Sequence, residues 1–138
     1  MTVGKLLAIG SAVLLVTTAI SIAAGEGGFN RAAFDDAMQD NSKAARVILG
    51  GLAMGDWAKA QAPAETIAKQ AKQLRAMQPP QQAQRIAEFQ ADADSLGAHA
   101  TRIAAAAKAM NGDLAAREFG AMVATCTKCH LVFRKAGS

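Results

Sequence analysis

From Phe34 to Phe133 apolar side chains return every three or four residues, the period of one face of an α-helix. The first stripe is Phe34, Met38, Asn41, Ala45, Ile48 and Leu52, with Asn41 its one polar member. It stops near Gly55, a residue type that commonly ends helices. Asp56 then offers a cap and Pro63 suits an early helical position. The second stripe is Ile67, Ala71, Leu74 and Met77, and Pro79-Pro80 ends it because proline cannot continue the hydrogen-bond ladder. The third is the most regular: Ile86, Phe89, Ala93, Leu96, Ala100, Ile103, Ala107 and Met110. Asn111 to Asp113 breaks it, with Gly112 expected to close one helix and Asp113 to cap the next. The fourth stripe is Ala115, Phe119, Met122, Cys126, Cys129 and Phe133. One apolar seam per helix and short connections predict an all-α, antiparallel up-down-up-down four-helix bundle over residues 26–138.

Composition agrees. Aromatic residues make up 4% of the chain, there is no Tyr, and Ala dominates, which favours helix over strand. At 138 residues the chain is long enough for one domain with a real core. Its net charge of +4 is spread along the sequence and forms no basic run, so a nucleic-acid partner is not expected. The N-terminus departs from this pattern. Lys5 is followed by an uncharged apolar run from Leu6 to Ala24 that ends among the small residues Ala23, Ala24 and Gly25. Residues 1–25 therefore read as a signal peptide, a signal helix cleaved on export. The alternative is a retained membrane anchor, since the run approaches the roughly 20 residues a span requires. Either way the domain after the Gly-rich spacer is expected in the periplasm.

The fourth stripe carries the chemistry. Both cysteines of the chain and one of its two histidines stand within "CTKCH", Cys126 to His130. C-x-x-C-H is the attachment signature of c-type haem. Positions three and four apart share a helix face, so Cys126 and Cys129 can reach the two vinyl groups of one haem c while His130 meets its iron. Three other readings compete. A dithiol redox pair would sit near a βαβ pattern, which this chain lacks. Structural zinc wants four ligands, and His99 is the sole further Cys or His. A plain disulfide suits an oxidising compartment. Only residues 131–138 follow His130, and they hold no Met or His. Any other strong protein ligand to the iron must come from upstream.

At the C-terminal end the sequence resembles the cytochrome c-prime family, the class II c-type cytochromes. The likeness runs from about Phe29 onward and is closest over "GDLAAREFGAMVATCTKCHLVFRK", Gly112 to Lys135. Gly112-Asp113 before the last helix, Phe119-Gly120 ahead of the first cysteine, and Phe133-Arg134 after the histidine match that family's pattern. The first helix matches more loosely, with Asn30-Arg31-Ala32 where the family often has Tyr-Arg-Gln, so the register of the distal residue is open. The resemblance implies the four-helix bundle, one covalent haem, His130 as proximal ligand and a distal residue from the first helix. There a bulky apolar side chain leaves the iron five-coordinate and open to small gas ligands. A methionine can ligate and make a low-spin electron carrier.

Met38, on the inward seam of the first helix, is the candidate sixth ligand, with core filler as the alternative. A thioether is soft and neutral and raises the potential. Met122, one turn before Cys126, is expected against the proximal side of the haem. Arg134 either suits the helix C-terminal dipole or acts on the proximal pocket, as the resemblance implies. His99, at the edge of the third seam, is expected to face solvent or cap rather than ligate. Trp57 reads as a hydrophobic plug. Lys128, Arg134 and Lys135 offer a small positive surface for an acidic redox partner protein. The resemblance also implies a homodimer through the outer faces of the first two helices.

Two functions follow: electron transfer with His130 and Met38 as axial ligands, or binding of nitric oxide or carbon monoxide at a vacant distal side. A tethered subunit of a respiratory assembly is a third, if the N-terminal helix is retained. Oxygen-activating haem enzymes need distal polar groups, and the first seam offers only Asn41, so no enzymatic activity is expected.

Overall fold

In the computed structural model the described residues are 29–134, so the expected signal or anchor segment (1–25) and Lys135 lie outside them. Asn30 starts the first helix by accepting the backbone N–H of Ala33 on its side-chain oxygen. Helix α1 (Arg31–Met54) ends at Gly55, whose φ of 66° lies in the left-handed region that glycine enters without penalty. Asp56 caps helix α2 (Trp57–Arg75) through the N–H of Lys59, as expected. Pro63 is not in the first turn but inside α2, where it removes one helical hydrogen bond. The helix stops before the proline pair, so Met77 lies in the following turn and packs on the core from there.

A short 3-10 turn, Ala83–Arg85, leads into helix α3 (Ile86–Lys108). Its stripe is buried from Phe89 to Ala107, but Met110 is 70% exposed. Met110 takes the left-handed turn after α3, with φ of 54°, instead of extending the seam. The junction with helix α4 (Gly112–Phe133) is also shifted. Asn111, not Asp113, is the cap and accepts from Leu114 N–H, and Gly112 is the first helical residue. Contact with the ring of Trp57 requires the glycine, because a Cβ at Gly112 would stand 2.9 Å from the ring's Cη2. Trp57 thus plugs the end of the bundle as its apolar character suggests.

Among the described residues the chain is all helical, with four α-helices and no strand. Small side chains make close packing possible: Ala60, Ala64 and Ala71 of α2 and Ala100, Ala104 and Ala107 of α3 are buried. Helix α2 packs extensively on α3, α3 on α4, and α1 on α2, whereas α1 and α4 scarcely touch. A chain of rings spans that weak side. Phe34 of α1 lies 6.1 Å from Phe89 of α3, which meets Phe133 of α4 edge-on at 5.4 Å. Each such ring pair adds about 0.5–1.5 kcal/mol beyond its burial. Among the described residues no helix is long and apolar enough to cross a membrane.

Replacing Gly112 with Ala should push Trp57 off the helix end and destabilise the fold by about 1–3 kcal/mol, the usual cost of overpacking. At Gly120, where an added Cβ meets nothing within 4 Å, the same change should be neutral or stabilising by up to about 1 kcal/mol. Urea midpoints of the two variants measure the difference.

Candidate haem pocket

All four helices contribute to one cavity. Met38, Asn41 and Ser42 come from α1, Ile67 and Leu74 from α2, and Phe89, Asp92, Ala93 and Leu96 from α3. Helix α4 adds Met122, Thr125, Cys126, Cys129 and His130. The helical period explains the last set, since residues 122, 126 and 129 lie on one face with 130 beside them. Cys126 and Cys129 are half-buried free thiols, and Met122 is fully buried behind them. Met38, half-buried, lines the cavity from α1, the helix that scarcely touches α4. Sequence reasoning grouped Met38, Met122, Cys126, Cys129, His130 and Arg134; the fold brings the first five to this cavity, whereas Arg134 is not among its lining residues.

The electrostatics favour neutral groups. Burial pushes the Cys129 thiol up to about 12, helped by the negative charge of Asp92, and burial also raises Cys126. Neither thiol is a ready thiolate, so the pair lacks the lowered pKa that marks a thiol-exchange site. His130 is exposed over much of its surface but lines the cavity. Partial burial, and then the nearby charge of Arg134, hold its pKa below the ordinary imidazole value. That favours the neutral ring, the form able to bind a metal. Arg134 ends α4 in extended backbone, donating its N–H to His130 O at 3.2 Å.

Other expected residues take different places. His99 does not line the cavity. Its Nδ1 lies 2.7 Å from Glu118 of α4, and Arg102 closes the same cluster at 2.7 Å from that carboxylate. His99 therefore ties α3 to α4 and offers zinc no fourth ligand. Among the described residues no group of three or more His, Cys, Asp or Glu side chains is gathered to hold a metal ion. The Lys128 ammonium is engaged by Asp92 at 2.7 Å, a bond that raises its pKa and reduces its use as a steering charge.

Asp92 is the residue that sequence reasoning passed over. It is 4% exposed, yet stands three residues after Phe89 and four before Leu96, on the apolar face of α3. An acidic residue at seam spacing was the available signal. Its Oδ2 has no hydrogen-bond partner, and neither side-chain atom of Asn41 has one. Unpartnered polar atoms in a buried wall call for a ligand or water to meet them.

The cavity holds about 210 Å³. That falls below the roughly 300–1,000 Å³ of ordinary ligand pockets. A macrocycle needs more room than this, and α1 and α4 make the sparsest contact around the cavity. In donor set and apolar lining, the residues present fit a haem. Compared with protein-family models, curated proteins and solved structures, the chain matches none.

In the haem-free chain at pH 8, Cys129 should alkylate at least about a hundredfold more slowly than a free cysteine, because so little thiolate is present. Stopped-flow thiol labelling followed by peptide mapping measures this. A rate like that of free cysteine would contradict the burial.

Proposed function

We propose that the chain is a periplasmic monohaem cytochrome c that transfers electrons, built as an up-down-up-down bundle of the class II kind. One observation carries the reading: a single apolar cavity has Cys126, Cys129 and His130 on α4 and Met38 on the helix that scarcely touches α4. Bound there, haem would supply reversible one-electron chemistry. Each cysteine would hold it by adding its S–H across a vinyl group, the sulfur bonding one carbon and the proton going to the other. Cys126 and Cys129, as protonated thiols, are in the form that such an addition consumes.

His130 would offer its neutral ring as proximal ligand, and Met38 its thioether from the opposite helix. Met122 fills the space behind the attachment site and keeps water from it. The apolar remainder of the wall keeps the iron's surroundings of low polarity, which limits reorganisation when charge changes. A second reading, binding of nitric oxide or carbon monoxide at an open distal side, draws support from Asn41. Its unbonded amide lines the same cavity one turn from Met38 and could donate to a bound diatomic.

Optical spectra of the exported, purified protein separate the two. With Met38 ligated, ferrous wild type is low-spin. Met38→Leu should convert it to high-spin, admit carbon monoxide readily and lower the potential, while costing the fold less than about 1.5 kcal/mol. A high-spin wild type left unchanged by Met38→Leu makes Met38 core and favours gas binding. The Cys126→Ala, Cys129→Ala double variant should lose all colour on denaturation and extraction. Colour retained by that variant would contradict the attachment.

A further inference from the structure

Asp92 is the one charged side chain buried in the core among the described residues. One oxygen, Oδ1, meets the Lys128 ammonium at 2.7 Å, and the other, Oδ2, has no partner in the cavity wall. The two charges of the pair are placed unequally. Lys128 reaches in from solvent with 60% of its side chain exposed, whereas Asp92 is 4% exposed. Water screens the ammonium far more than it screens the carboxylate, so the pair leaves a net negative field on the cavity side.

We propose that Asp92 sets the reduction potential of this pocket, its buried carboxylate favouring the ferric state. The inference rests on the haem reading above. Ferric iron carries one more positive charge than ferrous, so an anion fixed in the wall stabilises the oxidised form and lowers the potential. No bond forms or breaks: one electron enters or leaves the iron, supplied or taken by a redox partner.

Asp92, Cys129 and His130 line the same cavity, so the carboxylate faces the attachment site. The Arg134 guanidinium near His130 opposes the carboxylate's field, and, exposed at the end of α4, it is screened by water as Lys128 is. Glu88, one turn earlier on α3, is paired with Arg85 at 2.5 Å. Arg85 in turn stands over the Phe133 ring, 5.9 Å from its centre, at the end of α4. Thermodynamically, a methionine ligand and a buried carboxylate pull in opposite directions, and Asp92 moderates the high potential a thioether would otherwise give.

The test is a spectroelectrochemical titration of haem-loaded wild type, Asp92→Asn and Asp94→Asn. Asp94 is on the same helix but exposed, and pairs with Arg75 at 2.9 Å, so it serves as the control. Asp92→Asn should raise the midpoint potential while leaving the ferrous absorption bands in place, which rules out a change of ligand. Asp94→Asn should leave the midpoint where it is. If Asp92→Asn alone does not accept haem, the double variant Asp92→Asn, Lys128→Gln should, and its midpoint should also rise because the buried charge outweighs the screened one. A midpoint for Asp92→Asn or the double variant no higher than that of Asp94→Asn overturns the proposal and leaves the haem reading intact. Wild type without covalent haem overturns both.

Discussion

Four helices close around a dry core when each meets two neighbours, and here α1 and α4 scarcely meet. Every other seam is drawn tight by small residues, above all the alanines between α2 and α3. The missing contact leaves a cavity reaching all four helices. It also leaves the α1–α4 side held by few interactions, chiefly the rings of Phe34, Phe89 and Phe133 bridging through α3. Met38 and the two cysteines, packed at the edge of the core, and the buried Met122 line this space. A bound cofactor on that side would supply the contact that α1 and α4 do not make with each other.

Most of this was legible in the sequence, because helical period and burial are two views of the same geometry. The stripe through Phe34, Ile48 and Leu52, the cap at Asp56 and the inward face of α4 are where spacing puts them. Errors gathered at junctions, where one side chain decides. Asn111 takes the cap in place of Asp113 by accepting Leu114 N–H, which makes Gly112 the first helical residue, set against the Trp57 ring. Met110 then takes the left-handed turn and leaves the seam. Pro63 falls within α2 because Asp56 begins the helix six residues before a proline is reached.

The candidate site divides in the same way. Cys126, Cys129, His130 and Met122 share one helix, so spacing alone groups them. Met38 is more than eighty residues away, and only the fold carries it to the same cavity. Asp92 escaped because a pattern search discards charges, although a charge on an apolar stripe is informative. Its partner Lys128 is on another helix, and no spacing rule links 92 to 128. The pairing makes a buried carboxylate tolerable, since an isolated one would carry a large desolvation cost.

The proposed haem would account together for the sparse α1–α4 contact and for the unpartnered polar atoms of Asp92 and Asn41. The intact mass of the exported, purified protein under denaturing conditions tests this most directly. The account predicts the polypeptide mass plus one covalently attached haem. The mass of the polypeptide alone, whether with two free thiols or lower by two hydrogens for a disulfide, would contradict it.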